Sequence, residues 1–316
     1  MIPLSLVTGF LGSGKTTFLR RVIDYYRDRK LVYLVNEFSP LDVDGHVLAE
    51  EIGDLVALPG GSIFCTCLVT EFVGALTAIP DRFGADGTSV EGVVVEASGI
   101  ANPKVVEKML ADTRLDQVYA LSSVVTIVDP GTFPAVVQSL PNVVAQVESS
   151  DVVILNKTDI YDSTAAAAAE AEVRRIKPDA NVLRAVQCDV DLETLAGAGL
   201  LGDGEPRGLE GELAPCADPN YARMSVLLKG DVELDRLRNL IEPMGRDLYR
   251  LKGFARVKGH VHYIDYTQAS LTARRVGDRD VQPVLVLIVS GHAQGQGREL
   301  AAQIKQGAAH AEDTQP

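Results

Sequence analysis

The octapeptide at 9–16, GFLGSGKT, matches the phosphate-loop pattern G-x-x-x-x-G-K-[ST] and constrains the fold more than any other part of the chain. The apolar run at 3–8 before it predicts a short buried strand, and 17–23 after it predicts the start of a helix. A glycine-rich turn between strand and helix directs backbone N–H groups and the positive helix end at one point, which suits a phosphate. The segment therefore predicts an α/β domain that binds a nucleoside triphosphate.

Each position of the loop has an expected task. The glycines let the backbone curl without a Cβ clash, Lys15 reaches the β- and γ-phosphates, and the Thr16 hydroxyl ligates Mg²⁺. The residues expected to hold the phosphates are Gly12, Ser13, Gly14, Lys15, Thr16 and Thr17.

A second motif selects the base. The apolar run at 152–155 predicts a buried parallel strand, and it ends in Asn156, Lys157, Thr158 and Asp159. A carboxylate at Asp159 accepts hydrogen bonds from the N1–H and the exocyclic amine of guanine, a donor pair that adenine lacks. We expect Asn156 to brace the loop and the aliphatic stem of Lys157 to cover the base. The motif predicts GTP rather than ATP.

A third strand, at 92–95, delivers Glu96 into a small-residue turn that contains Gly99. In a phosphate-loop enzyme a carboxylate here holds Mg²⁺, and we expect Lys15, Thr16 and Glu96 to form the catalytic centre. The Gly99 amide is expected to face the γ-phosphate, as switch segments do. The alternative is that Glu96 caps the first turn of a following helix.

These motifs together resemble the CobW-like GTPases, relatives of the nickel-insertion GTPases of hydrogenase and urease maturation. The similarity runs from about residue 4 to about residue 290. It is carried by the phosphate loop, Asn36-Glu37-Phe38, Asp44, Glu96-Ala97-Ser98-Gly99, Gln146, 151–159 and, late in the chain, 251–257. The resemblance implies that GTP binding and hydrolysis drive metal delivery to a client metalloprotein or cofactor-assembly protein. It also implies that Asp44 helps to hold Mg²⁺ and that a homodimer can form.

The family's metal motif, Gly-Cys-x-Cys-Cys, is altered in this chain. Ser62 and Phe64 replace the first two cysteines, Cys65 occupies the third position, and Cys67 adds a thiol. The resemblance places Glu37 beside this site, so Glu37, Cys65 and Cys67 are the candidate ligands for Zn²⁺ or another transition metal such as Co, Ni or Fe. The alternative is that both cysteines are small buried hydrophobic residues.

Composition limits the partners. The chain has 316 residues and a formal charge of −13, which argues against nonspecific nucleic-acid binding. No apolar run reaches the length of a membrane helix, and we expect no membrane association. Four cysteines do not make a disulfide framework, and a GTP-dependent protein implies the reducing cytoplasm.

Alternation of elements predicts the architecture. Strand-like runs near 3–8, 31–35, 92–96, 124–128 and 152–155 alternate with helical patterns near 16–29, 68–79, 103–112, 131–140 and 163–176. This order predicts a mostly parallel sheet with helices on both faces, which is the phosphate-loop NTPase architecture. We expect this domain at 1–202, a Gly- and Pro-rich linker at 203–220, and a smaller α+β domain at 221–310. In the second domain Asp231 is expected to cap a helix at 231–243.

Two other functions stay open at this point. One is a GTP-gated chaperone of a corrinoid or other metalloenzyme that carries no metal of its own. The other is a small-molecule kinase built on the same phosphate loop, which would need an acceptor pocket and would have no use for Asp159.

Overall fold

The computed structural model describes residues 1–37, 55–59, 69–84, 89–203, 208–211, 221–267, 270–276 and 283–309. These residues form two compact units, one containing the described residues up to Gly211 and one containing those from Tyr221 onward. Within the described residues, no helix is both long and apolar enough to cross a membrane.

The first unit alternates strands and helices. Its strands are β1 (Ile2–Thr8), β2 (Leu31–Glu37), β3 (Leu55–Pro59), β4 (Gly92–Glu96), β5 (Tyr119–Val128), β6 (Val152–Leu155) and β7 (Asn181–Arg184). Its helices are α1 (Lys15–Tyr25), α2 (Val69–Phe83), α3 (Val105–Asp112), α4 (Phe133–Val136), α5 (Pro141–Ser149), α6 (Ser163–Ile176) and α7 (Leu192–Gly197).

The described strands of this unit form one parallel sheet in the order β3-β2-β4-β1-β5-β6-β7. Alternate residues of β4 point to opposite faces: Val93 and Val95 pack with α2 and α3, whereas Val94 packs with α1. The sheet is therefore covered on both faces, which explains why its central strands are apolar throughout. The predicted parallel architecture is confirmed.

Because the described strands of this sheet run in the same direction, the carboxyl ends of β1, β4, β5 and β6 lie along one edge of the sheet. The register aligns these ends closely, since Val7 pairs with Glu96, Thr8 with Thr126, and Val128 with Leu155. This edge is the place where ligands bind in open parallel sheets.

Several predicted boundaries differ from the structure. The helix predicted at 16–29 ends at Tyr25, and the helix predicted at 131–140 is only the short α4. Pro141 then starts the separate helix α5, because proline is well tolerated in the first turn, where its missing N–H has no intrahelical partner. The sequence patterns also missed the short elements β3, β7 and α7.

The second unit contains β8 (Tyr221–Leu227), α8 (Leu234–Ile241), β9 (Leu248–Val257), β10 (His260–Thr267), β11 (Ser270–Arg275), β12 (Val284–Ser290) and α9 (Gln294–Ala309). Its described strands form an antiparallel sheet in the order β11-β10-β9-β12-β8. Apolar residues of α8 and α9 are buried in one core with those of the sheet. The expected α+β character of this region is confirmed.

The start of α8 corrects one prediction. The helix begins at Leu234 rather than Asp231, and Glu233 is its N-cap residue. The Asp231 carboxylate instead accepts the backbone N–H of Gly259 at 2.6 Å, on the turn between β9 and β10. Gly259, which provides this N–H, is 28 positions away in the sequence, so the local capping pattern could not predict the bond.

Candidate functional site

The glycine-rich loop has the curled backbone that the sequence predicts. Gly9, Gly12 and Gly14 have φ values of 134°, 77° and 115°, a region that side chains with a Cβ rarely adopt. A Cβ at Gly14 would also lie 2.4 Å from Nδ2 of Asn156. Helix α1 begins at the next residue, so its unpaired N–H groups and positive end adjoin the loop.

Lys15 lies inside this loop. Its side chain is buried, and Nζ donates to the carbonyl oxygens of Gly9 at 2.9 Å and Phe10 at 3.3 Å. The Ser13 hydroxyl is also buried and has no hydrogen-bond partner among the described residues. A buried ammonium, next to a buried hydroxyl that has no hydrogen-bond partner among the described residues, is a feature of a preformed anion site.

Thr16 and Glu96 meet at the mouth of the loop. The Thr16 hydroxyl lies 3.1 Å from Oε1 and 3.3 Å from Oε2 of Glu96, which is a buried residue at the end of β4. The structure contradicts the alternative that Glu96 is a helix cap, because α3 begins only at Val105 with Lys104 as its N-cap residue. Two hard oxygen donors next to a phosphate loop suit Mg²⁺.

Asn156 joins the guanine motif to the phosphate loop. Its Nδ2 donates to the Ser13 carbonyl at 2.9 Å, and its Oδ1 accepts the backbone N–H of Cys188 at 2.7 Å. The Asn156 side chain is buried, so both bonds are protected from water. The side-chain amide of Asn156 thus connects three loops, an arrangement consistent with the predicted bracing role.

The remaining guanine-motif residues follow directly. Lys157 has a left-handed backbone (φ 61°), and its Nζ forms an ion pair with Asp129 at 2.6 Å. Asp159 is exposed to solvent. A solvent-facing carboxylate on a braced loop is available to accept the donor edge of guanine.

The turn after Glu96 is held from two sides. A Cβ at Gly99 would lie 2.6 Å from the backbone N of Leu11, so the turn rests against the phosphate loop. On the other side, Gln146 of α5 donates to the carbonyl oxygens of Gly99 at 3.3 Å and Ala101 at 3.0 Å. Asn142, one turn earlier on α5, donates to the carbonyl of Ile100 at 2.9 Å. Helix α5 therefore binds three successive carbonyls of the candidate switch turn.

Two residues of this region had no predicted role. Cys188 is buried beneath the loop, where its thiol lies 3.4 Å from the Gly14 carbonyl. Burial raises the pKa of this thiol to about 12, although Arg21 and Lys157 act in the opposite direction. Asp129, which follows β5, is the partner of Lys157. Their position in the sequence could have indicated a role, because both residues follow strands of a parallel sheet and therefore lie at its carboxyl edge.

The transition-metal candidates lie mostly outside the described residues. Glu37 ends β2, but its side chain is not described, and Asp44, Cys65 and Cys67 are outside the described ranges. Within the described part of the chain, no group of three or more His, Cys, Asp or Glu side chains is arranged to hold a metal ion. This ligand set therefore stays a prediction from the sequence.

A parallel sheet with a glycine-rich loop, a buried lysine and an adjoining Thr–Glu pair defines a P-loop nucleotide-binding domain. The family model described as "CobW/HypB/UreG, nucleotide-binding domain" matches residues 3–184 of this chain. The chain belongs to this family.

Curated relatives extend beyond that domain. The zinc chaperone CobW of Pseudomonas aeruginosa is 30% identical over 82% of this chain and 78% of its own length. The zinc chaperone YjiA of Escherichia coli is 29% identical over 61% of this chain and 60% of its own. The zinc-regulated GTPase metalloprotein activator 1 of Schizosaccharomyces pombe is 25% identical over 76% of this chain and 58% of its own length. A crystal structure of the Zn(II)-bound E. coli YjiA GTPase is 22% identical over 96% of this chain and 98% of that one, with a TM-score of 0.46.

Proposed function

We propose that this chain is a GTP-binding and GTP-hydrolysing metallochaperone whose nucleotide state gates the binding of a metal or a client protein. The observation that carries the proposal is the convergence of Lys15, the Thr16–Glu96 pair and Asn156 at one edge of the sheet. Family membership and relatives that are called zinc chaperones or a GTPase metalloprotein activator support the metal-delivery part.

The phosphate side of the mechanism depends on the loop. The backbone N–H groups at the start of α1 and the Lys15 ammonium would bind the β- and γ-phosphates, with Lys15 exchanging its carbonyl partners for phosphate oxygens. Thr16 and Glu96, with Asp44, would hold Mg²⁺. When bound, Mg²⁺ would neutralise charge on the phosphate oxygens during hydrolysis.

Turnover without a partner is expected to be slow. No described glutamine or arginine is committed to the phosphate loop as a hydrolytic group, since Gln146 holds the switch turn and Arg21 binds Asp189. We therefore expect a rate on the order of 10⁻⁴ to 10⁻² per second, as for switch GTPases that lack an activating partner. A client or a second copy of the chain would raise it.

The metal would be held by Glu37, Cys65 and Cys67, which lie in sequence between the phosphate loop and the Glu96 turn. Release of the γ-phosphate contacts would change the segments around 36–44 and 96–99 and, with them, the metal ligands or the client surface. We assign nucleotide binding to residues 1–202 and client recognition to residues 221–310, with residues 203–220 as a linker. The proposed location of the protein is the cytoplasm.

The nucleotide part is tested with Lys15→Ala. Removal of the buried ammonium should abolish measurable GTP binding in a fluorescent-nucleotide titration. Lys305→Ala, an exposed lysine on α9, is the matched control and should bind as the wild type does. Unchanged GTP affinity in Lys15→Ala would refute the assignment.

The metal part is tested by measuring metal content and affinity of anaerobically purified protein without nucleotide, with GDP and with a nonhydrolysable GTP analogue. Stoichiometric Zn²⁺ binding that shifts with nucleotide and disappears in Cys65→Ser/Cys67→Ser is the expected result. Absence of binding in every state would instead favour the metal-free chaperone, which the replacement of two family cysteines by Ser62 and Phe64 already makes the second candidate.

A further inference from the structure

A buried carboxylate beside the guanine motif has no part in the function proposed above. Asp129 directly follows β5, and its side chain is 4% exposed. Since Val128 pairs with Leu155, Asp129 lies next to the start of the motif on the neighbouring strand. A buried charge is costly unless it is paired and hydrogen-bonded, so its partners indicate what the residue does.

Both oxygens of Asp129 have fixed partners. Oδ1 accepts the backbone N–H of Gly131 at 2.9 Å, and Oδ2 accepts Nζ of Lys157 at 2.6 Å. The first bond anchors the carboxylate to its own loop. The second bond therefore fixes the end of the lysine side chain relative to the backbone of β5.

Tyr161 closes the cluster on another side. A Cβ at Gly131 would lie 2.3 Å from the tyrosine ring, so the ring rests directly on this glycine. Burial, the negative charge of Asp129 and a hydrogen bond to its carboxylate raise the pKa of Tyr161 to about 12. The hydroxyl carries its proton at neutral pH and can donate it to the Asp129 carboxylate.

These contacts restrict the aliphatic stem of Lys157. A lysine with an unbound ammonium samples many rotamers, and ordering it costs conformational entropy when a ligand binds. Here the stem is tied at its backbone, which has a φ of 61°, and at its ammonium. Its four carbons are thereby arranged before any base arrives, which lowers the cost of binding.

We propose that Asp129 is a positioning residue for guanine nucleotides: together with Gly131 and Tyr161, it holds the Lys157 stem where it covers the base. This inference rests on the proposed function, because it requires the base to lie at the guanine motif. Asp129 acts on the base side and leaves the phosphate side alone, so its removal weakens binding without slowing hydrolysis.

The test is Asp129→Asn in the full chain, assayed by steady-state GTP hydrolysis. KM should rise about tenfold, because a charge-assisted bond is lost, while kcat stays at the wild-type value. Lys157→Met keeps an apolar stem without the charge and should raise KM to a similar extent. In the double variant KM should rise no further than in either single variant, because the two residues act through one bond.

A matched control is Asp151→Asn, whose carboxylate accepts the Val124 N–H at 2.7 Å at the opposite end of β6. It should change neither KM nor kcat. If Asp129→Asn fails to fold, Tyr161→Phe replaces it, with KM expected to rise about threefold at constant kcat.

Three results would overturn the inference: an unchanged KM in the folded variant tested, a fall in kcat, or additive effects in the double variant. A wild-type chain that does not bind GTP would instead remove the proposed function itself. The two failures are therefore distinguishable by the wild-type titration alone.

Discussion

The side-chain amide of Asn156 donates to the carbonyl oxygen of Ser13 at 2.9 Å, although 143 positions separate the two residues. This bond links the loop proposed to select the base to the loop proposed to hold the phosphates. The other end of the same amide accepts from the Cys188 backbone, so the bond is part of a buried bridge. Nucleotide binding and local stability should both depend on it.

Asn156→Ala should therefore lose affinity for GTP and GDP alike. The change leaves the Ser13 carbonyl and the Cys188 N–H buried without their partner, at a cost of about 1–3 kcal/mol each. Nucleotide titration and urea unfolding measure the two effects together. Asn181→Ala, on an exposed position of β7, is the control and should change neither. Loss of stability with unchanged affinity would contradict the bridging role.

A pair of glycines tests the geometry of the phosphate loop. Gly14→Ala requires a side chain at φ 115° and places its Cβ 2.4 Å from Asn156, so we expect a loss of about 1–3 kcal/mol in the free energy of unfolding. Gly74→Ala, in the interior of α2, has open space around its Cβ and should gain about 0.5–1 kcal/mol. Urea unfolding of both variants should give shifts of opposite sign. Equal shifts would show that loop conformation is not the cause.

Base selection is tested by Asp159→Asn. An amide at this exposed position can donate to the second carbonyl of xanthine but cannot accept both guanine donors. GTP affinity should fall about 100-fold or more, while affinity for xanthosine triphosphate should rise. Competition titrations with the two nucleotides measure the exchange. A parallel loss for both would instead indicate that the substitution damages the loop, and no loss for either would favour the kinase alternative.

Cys188 predicts a pH dependence. Burial raises its pKa from 9.0 to about 12 in the folded protein. The folded state therefore favours the neutral thiol, so this contribution to stability is complete below pH 9 and is lost as the pH rises from 9 toward 12. Between pH 8.5 and 10.5, the free energy of unfolding should fall more steeply for the wild type than for Cys188→Ser. Equal slopes in urea unfolding would exclude the thiol as the source.

The sequence predicted the site where the chemistry is local. The loop at 9–16, Glu96 and the motif at 156–159 each lie at the carboxyl end of a strand, and the parallel direction of these strands brings them to one edge. Their residue types suit phosphate and guanine, the ligands proposed above, so each motif is recognisable in the sequence without any knowledge of packing. The prediction of helices on both faces of the sheet followed from the same alternation of strands and helices.

The parts that were missed depend on distant partners. Asp129 and Cys188 look like ordinary loop residues until β5, β6 and β7 are aligned, because their partners are 28 and 32 positions away. Asp231 has the residue type of a helix cap, yet a backbone N–H on another turn competes for its carboxylate. Single-residue propensity contains no information about such competition.

Asn142 and Gln146 of helix α5 donate hydrogen bonds to the turn after Glu96. The helix ends at Ser149, just before β6 and the guanine motif begin. One short helix is thus bonded to the turn through its side chains and connected at its C-terminus to β6, the strand that leads into the predicted guanine motif. Thermodynamic reciprocity then sets a rule for the molecule: a partner that prefers one arrangement of the turn must change GTP affinity by the same factor by which GTP changes the affinity for that partner. Under the proposed function, a client that binds this turn would shift the affinity for GTP without touching the nucleotide.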